Sequence, residues 1–238
     1  MSALPSSRTA LTGLQRIDLL RGLEPAAIEA LAARLAWRHV PAEEHVISRD
    51  AVDRDVYLVV SGRVQVGAFS AGGKQVTYGE IGAGELFGEL AAIDGRARSA
   101  DVIAMQDTLL AVMSPEVFRN LLAQHQIVCD RLLRRLTGSV REMTDRVFEL
   151  STLGVRNRVH AELLRLARLG VVAGNEARID PAPKHGEIAN RVSTYREQVT
   201  REISLLTSQG VVARDGHCLV VRDMALLERL VADVHRQP

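Results

Sequence analysis

Within GAGELFGELAAIDGRARSADVIA, residues 82–104, a carboxylate at Glu89 is followed nine residues later by a guanidinium at Arg98, with Ser99 beside it. The rest of the segment is largely apolar or glycine, so two roles are open for this pair. Both groups are solvent-facing turn residues, or they grip a small anionic ligand. Arginine in a partly desolvated pocket presents a planar donor matched to phosphate oxygens, and glycine permits close backbone approach. A second chemistry-bearing stretch is TYREQVTR, residues 194–201. Read as a helix from Thr194, it carries Tyr195, Arg196 and Glu197 in its first turn and Thr200 and Arg201 in its second. Glu197 and Arg201 are four residues apart and share a face. Arginine binds the O6 and N7 edge of guanine bidentately and glutamate accepts from the cytosine amine. This face therefore suits adjacent G·C pairs, at roughly 1 to 3 kcal/mol of discrimination per contact. The competing reading is a solvated Glu197–Arg201 ion pair worth about 0.2 to 0.5 kcal/mol.

Glu89 and Arg98 fall in a region, Val40 to Val112, where VYLVV, RVQVGAF, QVTYGEI, ADVIA and TLLAVM alternate with turns such as SG, SAGG and GAG. Many short strands without crossover helices predict a compact barrel or jelly roll rather than a parallel sheet. Ahead of it, residues 14–20 and 25–36 read as helices, the second with Ile28, Leu31 and Leu35 on one face. After it, Ser114 and Pro115 form an N-cap followed by proline at the first helical position. Helical pattern then runs almost unbroken to Leu153. Along it Cys129, Leu133, Leu136, Val140, Met143, Val147 and Leu150 alternate in spacings of four and three, the seam of a coiled coil. The seam predicts a homodimer; packing of the helix on its own domain is the alternative.

Gly154 marks a break. VRNRVHAELLRLARLG reads as a helix with Val159, Leu163, Leu166 and Leu169 inward and Gly170 as its C-cap. HGEIANRV is a second helix, Ser193 and Thr194 form a tight turn, and the helix from Thr194 is the third. VVARDGHCLVV reads as a hairpin about Asp215-Gly216, and MALLERLVADV as a closing helix. Helix, turn, helix and two-stranded wing is a compact DNA-binding layout; a small helical domain of other purpose is the alternative. The expected fold is α+β: a β-roll (jelly roll) domain over 1–125, a long central dimerisation helix over 126–154, and a winged helix-turn-helix over 155–238.

Composition bounds the rest. A chain of 238 residues, 47% hydrophobic, has apolar material for a sizeable core. Its longest apolar runs are too short to cross a bilayer, and the N-terminal MSALPSSRTA does not read as a signal peptide. Two cysteines, Cys129 and Cys218, require no disulfide framework and fit a reducing, cytoplasmic setting. Residues 155–238 hold 13 basic against 10 acidic side chains, and residues 1–154 hold 17 against 19. That mild asymmetry permits DNA binding by the C-terminal part.

These motifs together resemble the cyclic AMP receptor protein family of bacterial transcription regulators, over nearly the whole chain. FGELAAIDGRARSA, residues 87–100, is similar to the family's phosphate-binding cassette, and YREQVTR, residues 195–201, to its recognition helix. The resemblance implies cyclic AMP, with cyclic GMP as the alternative, as allosteric effector. It implies that Glu89 accepts from the ribose 2′-hydroxyl and Arg98 pairs with the cyclic phosphate. Ser99 and the backbone about Gly88, Leu90 and Ala100 complete the cradle. Met143 and Thr144 of the central helix meet the purine, although Met143 also fits the seam. Arg196, Glu197 and Arg201 read the GTGA core of a TGTGA-type half-site in a palindromic operator, with Tyr195, Thr194 and Thr200 nearby. The implied partners are a second copy of the chain, double-stranded DNA and RNA polymerase, the last at the loop 171–180, with no membrane. Two departures stand out. Ser193 occupies a turn position where the family often has glycine, and PAPKH leads into the preceding helix, so Lys184 and His185 contact phosphate or cap that helix.

Other classes fit less well. An iron–sulfur sensor needs a cysteine cluster, and the two cysteines are 89 residues apart. A haem sensor would draw on His39, His45 or His125, and an absorbance spectrum tests it. For an enzyme there is no Ser-His-Asp arrangement, metal motif or nucleotide-hydrolysing loop, and His160, His185 and His217 fall in the DNA-binding part.

Overall fold

The computed structural model describes residues 7–70 and 75–232. It divides into two compact units between Ser139 and Val140. The first contains α1 (Ser7–Gln15), a 3-10 turn (Asp18–Leu20), α2 (Pro25–Ala32), β1 (Ala36–Val40), β2 (His45–Ile47), β3 (Val56–Ser61), β4 (Arg63–Phe69), β5 (Gln75–Gly82), β6 (Leu86–Phe87), α3 (Glu89–Asp94), β7 (Asp101–Ala104), β8 (Thr108–Met113), α4 (Pro115–Gln124) and the first half of α5 (Gln126–Thr152). Its strands form two antiparallel sheets in the orders β1-β8-β3-β6 and β2-β7-β4-β5, the jelly-roll arrangement expected from the strand pattern. Strand β3 shows why both faces must be covered. Successive side chains point to opposite faces: Tyr57 and Val59 join Val40, Val64, Phe87 and Leu110 between the sheets. Val56 and Leu58 turn the other way, into a cluster with Leu14, Ile17, Phe118, Val128 and Leu132 from the helices.

The helices around this roll differ from expectation in three places. The helix expected over 14–20 ends at Gln15. Leu14, Ile17, Leu19 and Leu20 are all buried, which one face of a single helix cannot achieve, and the Asp18 amide instead donates to the Gly84 carbonyl at 2.8 Å. The helix expected over 25–36 ends at Ala32, because residues from Ala36 pair with β8 in the register Ala36↔Val112 to Val40↔Thr108. The run from Pro115 to Leu153 is two helices. Ser114 caps α4 by accepting from the Val117 amide at 3.3 Å, and α4 stops at His125, whose backbone is extended. The break lets Phe118 and Leu121 of α4 and Val128 and Leu132 of α5 enter one core.

The second unit contains the rest of α5, then α6 (Val155–Leu169), β9 (Val171–Ala173), β10 (Glu176–Ile179), α7 (His185–Arg191), α8 (Arg196–Ser208), β11 (Val212–Asp215), β12 (Cys218–Val221) and α9 (Met224–Ala232). Its core joins Val159 and Leu163 of α6, Ile188 of α7, Val199 and Leu206 of α8, Val221 of β12 and Leu227 of α9. The segment 171–180, expected as a loop, is a hairpin that extends the wing into a four-stranded sheet, β11-β12-β10-β9. Leu169, expected inward, is 74% exposed. It lies six residues past the buried Leu163, about 240° around a helix of 3.6 residues per turn. The third helix begins at Arg196 rather than Thr194. Residues 71–73 of the SAGG turn, the first six residues of MSALPSSRTA and the last two of MALLERLVADV lie outside the described residues. Among the described residues no helix is long and apolar enough to cross a membrane.

Candidate functional site

In the first unit the candidate site centres on the junction of β6 and α3. Gly88 joins them with φ +85°, in the left-handed region that favours glycine. A Cβ there would lie 2.7 Å from the Asp55 carbonyl oxygen and 2.8 Å from Arg98 Nη1, so the missing side chain is what lets Arg98 approach. Gly95, with φ +73°, closes α3 by donating to the Ala91 carbonyl at 3.1 Å. The chain then returns through Arg98 to β7.

Arg98 is 3% exposed. Its Nη1 donates to the Gly88 carbonyl at 2.9 Å, its Nη2 to the Asp55 carbonyl at 2.8 Å, and its Nε to the Asp53 carboxylate at 3.1 Å. Nη2 also forms an ion pair with Asp53. The guanidinium sits 5.8 Å from the centroid of the Tyr57 ring, which itself stacks on Phe87 at 5.0 Å. The Arg98 amide donates to the Ala51 carbonyl and its carbonyl accepts from the Asp50 amide, so the segment 50–55 wraps the arginine. Of the residues expected at this pocket, Gly88 and Arg98 are in direct contact. Glu89 occupies the first turn of α3, half-buried. Burial makes its carboxyl hold a proton more tightly than an ordinary glutamate, while its backbone hydrogen bond, Arg135 and Arg98 pull the other way. Arg135 itself donates to the Leu86 carbonyl at 2.8 Å, tying α5 to the strand that leads into Gly88. Ala100 is buried, whereas Leu90 and Ser99 are exposed. Met143 and Thr144 belong to the second unit. Asp53, Asp55 and Tyr57 were not foreseen; their only signal was the run of aspartates in DAVDRDV just before β3.

In the second unit, α7, the turn and α8 present the other group. Ser193 takes φ +55°, a conformation that costs a non-glycine residue energy. Thr194, expected at the DNA, is 5% exposed. Its amide donates to the Ala189 carbonyl at 2.9 Å and its hydroxyl bonds Gln198, so it is an internal clasp of the turn. Arg196, Glu197, Thr200 and Arg201 lie on the exposed side of α8, while Val199, Ile203 and Leu206 enter the core. Glu197 and Arg201 form no ion pair among the described residues. The Thr200 hydroxyl is engaged within the protein, donating to the Arg196 carbonyl at 2.9 Å and pairing with His185 Nδ1 at 2.8 Å. Tyr195 is 64% exposed at the N-cap. Lys184 caps α7 through its backbone, its amide donating to Glu187 at 3.0 Å, which leaves the ammonium for other partners. Lys184, His185, Arg196 and Arg214 line a cleft of about 400 Å³. Arg214, on the wing strand β11, was not foreseen, since a single arginine in a hairpin has no distinguishing local pattern.

Behind α8, His160 of α6 is 1% exposed and bonds Glu202 through Nε2 at 2.6 Å. Burial lowers the pKa of His160, outweighing the pull of Glu202. Burial, then Arg196 and Arg214, lower His185 as well. A histidine depressed below its ordinary value of 6.5 resists the proton that the unfolded chain accepts, so stability is lost as pH falls below that value. The melting temperature is therefore expected to drop between pH 7.5 and pH 5.5 when unfolding is followed by circular dichroism. His160→Gln is expected to flatten the slope, leaving the part due to His185.

Two family models match the chain: a cyclic nucleotide-binding domain over residues 37–125 and a Crp-like helix-turn-helix domain over residues 157–230. The chain is 32% identical over 212 residues to the cyclic AMP receptor protein of Thermus thermophilus, covering 89% of this chain and 95% of that one. It is 26% identical over 217 residues to a CRP-like cAMP-activated global transcriptional regulator of Mycobacterium tuberculosis, covering 91% and 97%. In fold it matches the solved structure of CooA from Carboxydothermus hydrogenoformans with a TM-score of 0.77 at 19% identity, over 90% of this chain and 94% of that one. A ligand-binding β-roll with a glycine-hinged arginine, followed by a helix-turn-helix whose second helix is exposed, identifies this chain as a transcription regulator of the cyclic AMP receptor protein family.

Proposed function

We propose that the chain is a cyclic-nucleotide-responsive regulator that binds a palindromic TGTGA-type operator as a homodimer, with cyclic AMP as its effector. Residues 1–125 act as sensor, 126–154 as dimerisation helix and 155–238 as DNA reader. The observation that carries this reading is Arg98, a cation 3% exposed that packs against a glycine with no side chain to hold it off. A buried cation at such a junction suits a phosphate. The Thermus relative's name points the same way. Glu89 accepts from the ribose 2′-hydroxyl, and the backbone at Ser99 and Ala100 completes the phosphate cradle. The family resemblance assigns Met143 and Thr144 to the purine, and the name of the Thermus relative favours cyclic AMP over cyclic GMP. Isothermal titration with each nucleotide is the test. Micromolar or tighter binding of cyclic AMP, with cyclic GMP weaker, is expected; no heat with either overturns the effector.

On the DNA side, Arg196, Glu197 and Arg201 read base edges, and Lys184 and Arg214 meet phosphates. Tyr195 and Thr200 flank the reading face. Nucleotide and operator are coupled through residues 148–154, the end of α5 and the break that follows it, and that coupling is reciprocal. The protein acts on chromosomal DNA in the cytoplasm, and the hairpin 171–179 is the surface offered to RNA polymerase. Arg196→Ala is expected to relax base preference at one position of the half-site, costing about 1 to 3 kcal/mol against the preferred sequence. Lys184→Ala is expected to weaken all sequences alike and to lower the salt slope by about 1. Competition binding against a set of operator variants at two salt concentrations separates these outcomes.

A further inference from the structure

Arg98 already carries an anion of its own. Its guanidinium offers five N–H donors. Four hydrogen bonds take up protein acceptors: Nε and Nη2 on Asp53, Nη2 on the Asp55 carbonyl and Nη1 on the Gly88 carbonyl. One Nη1 donor is left over. Asp53 is not buried with its partner; its side chain is 47% exposed against 2% for Arg98. On the reading above, a ligand phosphate that reaches Arg98 meets the charge of Asp53. Glu89 adds a second carboxyl to the same pocket, and Arg135, which acts on it, is itself paired with Glu85 at 3.3 Å. Arg54, between the two aspartates, approaches the other end of α3, 3.9 Å from where a Cβ on Gly95 would stand. The charge of Arg98 is therefore already offset by Asp53 before any ligand arrives.

We propose that Asp53 is the specificity-determining residue that makes this pocket prefer a singly charged cyclic phosphodiester to a doubly charged phosphate monoester of the same nucleoside. The inference rests on the reading of Glu89 and Arg98 as the nucleotide clamp. A cyclic phosphodiester brings one negative charge, which the single free donor and the cradle amides can satisfy. A phosphate monoester brings about −1.5 to −2 at neutral pH. Its extra charge meets the Asp53 carboxylate at close range in a partly desolvated site, where like charges repel strongly. Selectivity for a ring-closed phosphate thus comes from a carboxylate placed on the very arginine that binds it.

Asp53→Asn keeps an oxygen that accepts from Nε and Nη2 but removes the charge. Titration calorimetry of the full-length protein and this variant with cyclic AMP and with 5′-AMP, at one ionic strength, is the test. The variant is expected to bind both nucleotides more tightly, 5′-AMP by a factor at least about threefold larger than cyclic AMP, so that the ratio of the two dissociation constants narrows. Asp53→Ala, which also releases the arginine, is expected to weaken cyclic AMP while still narrowing the ratio. A ratio unchanged in both variants, with both nucleotides weakened by the same factor, overturns the proposal and leaves Asp53 as a support for Arg98. A wild type that binds neither nucleotide overturns the clamp itself, and the selectivity with it.

Discussion

Arg98→Ala is expected to raise the dissociation constant for cyclic AMP at least 100-fold, the equivalent of about 2.7 kcal/mol. Charge-assisted hydrogen bonds contribute about 1.5 to 3 kcal/mol each, and on the proposed reading the phosphate loses the guanidinium that faces it. The substitution also strips partners from the Gly88 and Asp55 carbonyls and from Asp53. A lower melting temperature accompanies the loss of binding, so stability must be measured beside affinity. Arg98→Lys separates the two effects. Lysine keeps the charge but cannot place donors on Gly88, Asp55 and Asp53 at once, so its affinity is expected to fall between wild type and alanine. A folded alanine variant that binds as the wild type does would remove Arg98 from the clamp.

The second large effect is expected at the seam of α5. Leu133, Val140, Met143 and Val147 are 56%, 64%, 59% and 64% exposed on the single chain. They are spaced seven, three and four residues apart along one face, whereas Val128 and Leu132 of the same helix are buried in the β-roll and Leu136 packs partly against the same core. Such a row meets its like in a two-fold pair, and burying each of these side chains contributes roughly 1.5 to 3 kcal/mol. Val140→Asp puts two like charges across that pairing, while an exposed substitution costs the single chain within about 0.5 kcal/mol. The wild type is expected to sediment as a dimer at micromolar concentration and the variant as a monomer with an unchanged far-ultraviolet spectrum. A variant that stays dimeric would move the interface elsewhere.

The strands that frame the pocket were legible because their alternation is strong. Val56–Ser61, Arg63–Phe69 and Thr108–Met113 coincide with runs of β-branched and apolar residues between turn residues. The faces of α8 were legible for the same reason: Val199, Ile203 and Leu206 recur at helical spacing, leaving Arg196, Glu197 and Arg201 outside. Less legible were elements whose identity comes from pairing. AWRHV carries no clean alternation, and only β8 makes it a strand. β6 is two residues long and exists through Tyr57 and Leu58 opposite it. The hairpin of β9 and β10 is specified by β12, not by VVAGNEARID. In the pocket, Glu89 and Arg98 stood out because they are charges in an apolar segment. Asp53 did not, since it reaches Arg98 across 45 residues of chain, and a contact of that range leaves no mark on local spacing. Thr194 misled in the opposite direction. It adjoins the reading residues in sequence, yet the tight turn at Ser193 leaves it buried and bonded to Gln198.

The most direct test of a nucleotide-controlled DNA reader is operator affinity with and without nucleotide. A labelled palindromic TGTGA duplex is titrated with the protein at one fixed salt concentration, since phosphate contacts make affinity depend steeply on salt. The change in fluorescence anisotropy is recorded in the absence and presence of saturating cyclic AMP. Operator binding at least tenfold tighter with the nucleotide is expected, corresponding to a coupling of about 1.4 kcal/mol. Equal affinities in the two titrations would contradict it, leaving a DNA-binding protein whose β-roll senses something else.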